Sequence, residues 1–393
     1  MPLALLALTI SAFAIGTTEF VIVGLIPTIA AQLHVTVPSA GLLVSIYAVG
    51  VAIGAPVLTA LTSRIPRKML LVGLMLLFTL GNLLAWQAPD YTTLVIARLV
   101  TGLSHGVFFS IGSTIATSLV SKEKAASAIA IMFGGLTIAL VTGVPLGTFI
   151  GQHFGWREAF LAVSCIGLLA MLASLVLLPG SLKNKQSAPL IQQLQVLTHP
   201  HLLLIYAITA LGYGGVFTTF TFLAPMMQQQ AGFSASAVSW ILLAYGISVA
   251  IGNIWGGRLA DRYGAVRALT LIFAALAILL LIFQFAASHS ILALMTLLVM
   301  GVFAFGNVPA LQVYVVQKAE HYTPDAVDIA SGLNIAAFNA GIALGSLIGG
   351  QTVSRLGLAQ TPWIGSIIVL SALLLVGVSG YLDRKKTAVL PAT

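Results

Sequence analysis

The first 63 residues of this chain contain one charged side chain, Glu19, and charge-free stretches of comparable apolarity recur to the C-terminus. A helix needs about 20 apolar residues to cross the hydrocarbon core of a bilayer, so these intervals can be counted as membrane spans. Residues 1–63 hold spans 1 and 2, divided at "HVTVPSAG". Intervals 69–89, 99–121, 125–156 and 159–182 hold spans 3 to 6, with Arg98 inside the fourth. Interval 186–257 is long enough for spans 7 and 8, divided at "QQQAGFSAS", and 268–317 for spans 9 and 10, divided at "ASHS". Intervals 329–354 and 356–382 hold spans 11 and 12. The expectation is an all-α membrane protein of twelve transmembrane helices.

With 59% hydrophobic and 7% charged residues, the chain lies far from the roughly 25% charged content of a soluble domain. Its net charge of +8 does not point to nucleic acid, because the basic residues sit in short loops with no continuous stripe. An even span count puts both termini on one side, and the positive-inside rule makes that side cytoplasmic. In that orientation Arg64, Arg67, Lys68, Lys122, Lys124, Lys183, Lys185, Arg258, Arg262, Arg267, Lys318, Arg384, Lys385 and Lys386 all face inward. Arg157 and Arg355 fall near the outer face. Such charge would also attract anionic lipid head groups. Cys165 is the one cysteine, so no intrachain disulfide can form. The N-terminal run lacks a basic leader and is too long for a signal peptide, so it reads as the first span.

The sequence resembles itself at an offset of 198 residues. "YAVGVAIG" (47–54) aligns on "YGISVAIG" (245–252), and Pro27, Leu61 and Arg64 align on Pro225, Leu259 and Arg262. The longest polar interruption, 180–202, lies between the copies. The expected organisation is therefore a six-helix bundle over 1–179, a cytoplasmic linker over 180–202 and a second, pseudo-symmetric six-helix bundle over 203–393. Parallel six-helix repeats with a substrate site at the midplane are the major facilitator architecture.

Residues 257–264, "GRLADRYG", with a further basic residue at Arg267, resemble that family's G-x-L-A-D-R-x-G signature at the turn after the second span of a half. The first-half copy, "TALTSRIP" (59–66), keeps Leu61 and Arg64 but has Ser63 in place of the acid. The resemblance implies a cytoplasmic charge latch built from Asp261, Arg262, Arg258, Arg267 and Arg64. The plain alternative is that these charges only set topology. "ARLVTGLSHGVFFS" (97–110) is similar to the family's fourth span. "GVPLGTFIG" (143–151) resembles the fifth span of drug:proton antiporters. Gly143, Pro145 and Gly147, with Gly341 and Gly345 of "GIALGSLIGG", read as helix-packing positions, because small residues let helices approach and proline bends one. With "GTTEF" and "FGWREAF", the chain resembles the branch of bacterial sugar and arabinose efflux and chloramphenicol-resistance exporters.

An acid at membrane depth costs roughly 2.5–3.5 kcal/mol on insertion scales and calls for a partner or a task. At 1.5 Å per residue Glu19 lies about 24 Å, His105 about 21 Å and Arg98 about 32 Å from the inner face. Arg98 and His105 are seven residues apart and share a helix face. The resemblance implies that spans 1, 4, 7 and 10 line the cavity, so Glu19 is expected to face His105 and Arg98 and to carry a proton, with a permanent buried ion pair as the alternative. The second half has no charge at that depth. Its Tyr213, Phe217, Phe220, Asn307, Gln312, Asn334, Phe338 and Asn339, with Tyr47 of span 2, are the expected substrate cavity. Stacking surfaces with a few hydrogen-bonding groups suit a neutral or amphipathic solute.

The enzyme motif HExxH, a P-loop and spaced metal ligands do not occur, so neither catalysis nor a cofactor is expected. The expected protein is a proton-coupled exporter in the bacterial inner membrane, monomeric, with protons, a small molecule and lipid as partners. A proton-coupled importer or an uncoupled facilitator is the alternative.

Overall fold

The computed structural model describes residues 3–62, 64–121, 125–180, 182 and 196–389. Most of the linker expected over 180–202 therefore lies outside the described residues, as do Lys122 and Lys124. Within them lie twelve helices long and apolar enough to span a membrane. They are Leu3–Gln32, Val37–Leu58, Arg67–Trp86, Tyr91–Ser118, Ile131–His153 and Trp156–Leu177 in the first half. In the second half they are Pro200–Gln229, Ala235–Tyr263, Ala265–Ala286, Ser290–Tyr322, Ile329–Leu356 and Leu358–Asp383. They correspond in order to the twelve spans counted from charge spacing. In hydrocarbon a backbone has no water to bond, and a helix satisfies its own N–H and C=O groups.

Local chemistry places the helix ends. Thr36 Oγ1 accepts the Ser39 N–H and Pro38 sits in the first turn of span 2. Asp90 Oδ1 accepts the Thr93 N–H at 2.8 Å and starts span 4, the ordinary work of an N-cap. Gly155 and Gly357, at φ 110° and 94°, make the turns between spans 5 and 6 and between spans 11 and 12. A side chain at either would be strained.

The neighbour pattern repeats between the halves. Span 1 packs on spans 5 and 6, span 3 on spans 4 and 6, and span 2 on span 4. Span 7 packs on spans 11 and 12, span 9 on spans 10 and 12, and span 8 approaches span 10. The repeated glycine explains why the sequence copy is so close here. A Cβ on Gly54 would lie 2.6 Å from the Leu103 carbonyl oxygen, and one on its counterpart Gly252 would collide with the Val302 carbonyl. Burial ranks the spans: 78% of the most apolar stretch of span 1 and 72% of that of span 7 are buried, against 33% in spans 6 and 12. Spans 6 and 12 therefore present most of their surface outward, where lipid would lie.

Two compact units emerge, and the segment Thr221–Ile247 belongs with the first. One comprises Met1–Ser187 with Thr221–Ile247, the other Ala188–Phe220 with Ser248–Thr393. Span 7 breaks after Phe220, and its second piece, Leu223–Gln229, packs on span 1. Phe222 presses on Gly41 so closely that a Cβ there would lie 2.5 Å from its ring. Gly246 meets the Leu140 carbonyl, and Ser239 Oγ donates to Gln152 Oε1 at 3.0 Å. Leu140 lies in a π-helical turn, Ala139–Gly143, and a second such turn, Gly54–Leu58, ends span 2.

Candidate functional site

Among the polar side chains that the first unit buries are Glu19 of span 1, Tyr47 of span 2, and Arg98 and His105 of span 4. Arg98 is 1% exposed and His105 4%. Seven residues apart on one helix face, they grip Tyr47 from two sides. The guanidinium carbon lies 4.1 Å from the Tyr47 ring centroid, a cation–π distance. The Tyr47 hydroxyl is hydrogen-bonded to His105 Nδ1 at 2.9 Å. Gly102 makes this possible, since a Cβ there would collide with the Tyr47 carbonyl, and Gly106 repeats the close approach at Val51. The Arg-Gly-Gly spacing of the fourth span is thus a seam that brings Tyr47 to both basic groups.

The buried ion pair between Glu19 and Arg98, the alternative reading of the sequence, does not form among the described residues. Arg98 Nη1 donates to the Thr18 carbonyl at 2.7 Å and Nε to the Leu43 carbonyl at 3.3 Å, while Nη2 is buried without a hydrogen-bond partner. A helical carbonyl retains a second lone pair, and these two claim the guanidinium. His105 is taken by Tyr47. Among the described residues Glu19, 8% exposed, has no hydrogen bond and no ion pair. Arg98 nonetheless lies against the backbone of the residue before Glu19 and over the ring of Tyr47. Span 1 is pinned beside the acid by Thr18, whose hydroxyl donates to Asn82 Oδ1 at 2.7 Å. The long arginine side chain also brings its head to the level of Thr18, lower than its Cα position suggests.

The second unit contains the remaining expected residues in two groups. Tyr213, Phe217, Phe220 and Phe338 form an aromatic cluster with Phe305, ring centroids 5.0–6.2 Å apart. Gln312 and Asn334 belong to a hydrogen-bonded chain: Thr209 Oγ1 donates to Asn334 Oδ1 (2.7 Å), Asn334 Nδ2 to Gln312 Oε1 (3.0 Å), and Gln312 Nε2 to Ser331 Oγ. Asn307 and Asn339 donate to carbonyls of their own helices, leaving each side-chain oxygen buried and unpaired. At the repeat offset Glu19 corresponds to Phe217, so the position that is acidic in one half is aromatic in the other.

The packing glycines lie against the central spans. Gly143 abuts Thr17 and Gly147 abuts Val21 of span 1. Gly341 and Gly345 abut the Ala210 and Gly214 carbonyls of span 7. Pro145 is buried in the first turn after the π-helical segment. No ion pair involves Asp261, Arg262, Arg258, Arg267 or Arg64 among the described residues, and Arg262 lies over its neighbour Tyr263. The pair that does form is Lys318 with Asp383, at 2.6 Å, joined by Tyr314 and Ser379. Sequence spacing gave no signal for it, because its members are 65 residues apart and on different spans.

The profile of the Major Facilitator Superfamily matches residues 8–323 and 205–392. An uncharacterized MFS-type transporter of Bacillus subtilis, YtbD, is 51% identical over 97% of this chain and 96% of its own length. The inner membrane transport protein YdhP of Escherichia coli is 42% identical over 95% of each. In fold, the chain is similar to the crystal structure of a bacterial homologue of the human lysosomal transporter Spinster, inward-facing and occupied. The TM-score is 0.78 at 15% identity, covering 96% of each chain. Relatives and fold are those of transporters rather than enzymes. The chain belongs to the Major Facilitator Superfamily, as a multi-pass secondary transporter of the alternating-access type.

Proposed function

We propose that this protein exports a neutral or amphipathic small molecule, sugar-like or drug-like, in exchange for a proton carried by Glu19. Glu19 carries this reading, as a carboxylate buried in an apolar span with no ion pair and no hydrogen bond among the described residues. A structural acid would be expected to be paired, since an unpaired charge at that depth is costly. Here the neighbouring cation is held by backbone carbonyls instead. A carboxylate so placed can take a proton when water reaches it from one side and release it to the other. Arg98 sets the local field, and Tyr47 ties that arginine to His105.

One proton supplies enough energy. A charge crossing 100 mV yields roughly 2.3 kcal/mol and one pH unit about 1.4. Together these support a gradient of several hundredfold for a neutral solute. The aromatic cluster of the second unit and its two free amide oxygens suit a solute with an apolar face and hydrogen-bond donors. The basic loops support a cytoplasmic position for both termini in the inner membrane, with the protein taken as a monomer.

Purified protein in liposomes with a pH-sensitive dye tests this, comparing wild type with Glu19→Gln under imposed proton gradients and a panel of neutral sugars and amphipathic drugs. Solute-driven proton flux through wild type and none through the variant supports the reading. Equal solute movement through both, with no proton signal, overturns it and identifies a facilitator.

A further inference from the structure

At the end of the second unit where span 12 finishes, a cleft of about 360 Å³ opens between the turn joining spans 8 and 9 and the last turns of spans 10 and 12. Its wall carries Arg267, Lys318 and His321 against one acid, Asp383. That acid is already engaged by Lys318 at 2.6 Å and by the Tyr314 hydroxyl at 3.3 Å. Arg267 is exposed and has neither hydrogen bond nor ion pair among the described residues. Span 9 starts at Ala265, with no acidic residue in its first turn, so its leading N–H groups, on residues that line the cleft, have no helical acceptors. Positive charge thus remains after the internal pair is counted.

The position of the cleft selects among anions. Three spans end around it, which places it at head-group depth. Leu271, one turn beyond Arg267 on the same face of span 9, is exposed, and so are Leu374 and Val378 of span 12. Spans 9 and 12 meet at Val266 and Gly380, where a Cβ on the glycine would lie 3.0 Å from the valine. The charged cleft therefore lies beside exposed apolar side chains of spans 9 and 12, on the surface where acyl chains would lie. We propose that it binds the phosphate of an anionic phospholipid, with Arg267 and the first N–H groups of span 9 donating to its oxygens and Lys318 adding a second charge. Basic pockets between spans at a membrane surface suit such head groups. A soluble phosphate offers the same oxygens, and the exposed apolar side chains beside the cleft favour the lipid.

The test is native mass spectrometry of the full chain in mixed micelles, reading retained phosphatidylglycerol against phosphatidylcholine. A basic side chain near the surface is worth about 1 kcal/mol, so Arg267→Gln should lower the preference about five-fold. Lys318→Gln should lower it at least as much. Arg355→Gln, an exposed arginine at the opposite end of span 11, should leave it unchanged. A folded Arg267→Gln protein of unchanged melting temperature that keeps the wild-type preference overturns the proposal, as does an equal loss in Arg355→Gln. Excess inorganic phosphate that fails to displace phosphatidylglycerol supports the lipid. Displacement by it assigns the cleft to a soluble phosphate instead.

Discussion

Arg98 donates to the backbone carbonyl of Thr18 at 2.7 Å, one residue before the carboxylate that the sequence offers as its partner. The guanidinium is fixed by main-chain atoms of spans 1 and 2 and by the face of Tyr47. It can therefore keep its place whether or not Glu19 carries a proton. That independence is what a coupling acid requires, since an arginine held only by the acid would be released at each protonation.

Arg98→Lys is expected to destabilise the protein. A lysine ammonium cannot reproduce the planar fork or the stacking, and two charge-assisted bonds at about 1.5–3 kcal/mol each are put at risk. Thermal unfolding in detergent should show a drop well beyond that of a surface Arg→Lys control such as Arg355→Lys.

Tyr47→Phe removes the hydrogen bond to His105 while keeping the ring under Arg98. The expected cost is about 1 kcal/mol, with normal insertion and a small fall in melting temperature. Tyr47→Leu removes the cation–π contact as well and should cost more. Equal losses for the two would show that the ring contact contributes nothing.

Gly54→Leu and Gly252→Leu should be comparably damaging, because both would drive a side chain into the carbonyl of a facing span. Overpacking typically costs 1–3 kcal/mol, and a backbone obstacle cannot yield as a side chain does. Gly73→Leu, which meets nothing within 4 Å, is the matched control. Yield of folded, monodisperse protein reads the difference.

Asp90 is solvent-exposed and its carboxyl is held below the usual aspartate range, chiefly by the Thr93 N–H. A lowered folded-state value means stability that is present above the unfolded pKa and lost as pH falls through the folded one. Asp90→Ala should therefore lower the melting temperature at neutral pH. The gap from wild type should narrow as pH falls below the ordinary aspartate value of about 3.9.

Ser239 and Gln152 join span 8 to span 5 at 3.0 Å within the first unit. Cysteines at both positions, in a background with Cys165→Ser, should be bridged by a short bifunctional thiol reagent that can be cleaved by reductant. If transport requires Thr221–Ile247 to leave its packing on spans 1, 2 and 5, bridging should stop solute flux and reduction should restore it. Full flux in the bridged protein would show that this seam stays closed throughout the cycle.

The number and order of the twelve spans and the internal repeat were legible in the sequence. Each rests on local rules: charge is excluded from hydrocarbon, a helix needs a fixed length to cross it, and glycine marks where backbones touch. The isolation of Glu19 as the acid at membrane depth in the first half was legible for the same reason. Its surroundings were not. That Arg98 would choose the carbonyls of Thr18 and Leu43, and His105 the hydroxyl of Tyr47, depends on which lone pairs lie within reach once three spans have packed. Lys318 with Asp383, and Thr209 with Asn334 and Gln312, are likewise pairings between distant spans. Sequence spacing sets which face of a helix a residue occupies, but only the packed tertiary structure decides which neighbour stands opposite, because several donors compete for each buried acceptor and distance selects among them.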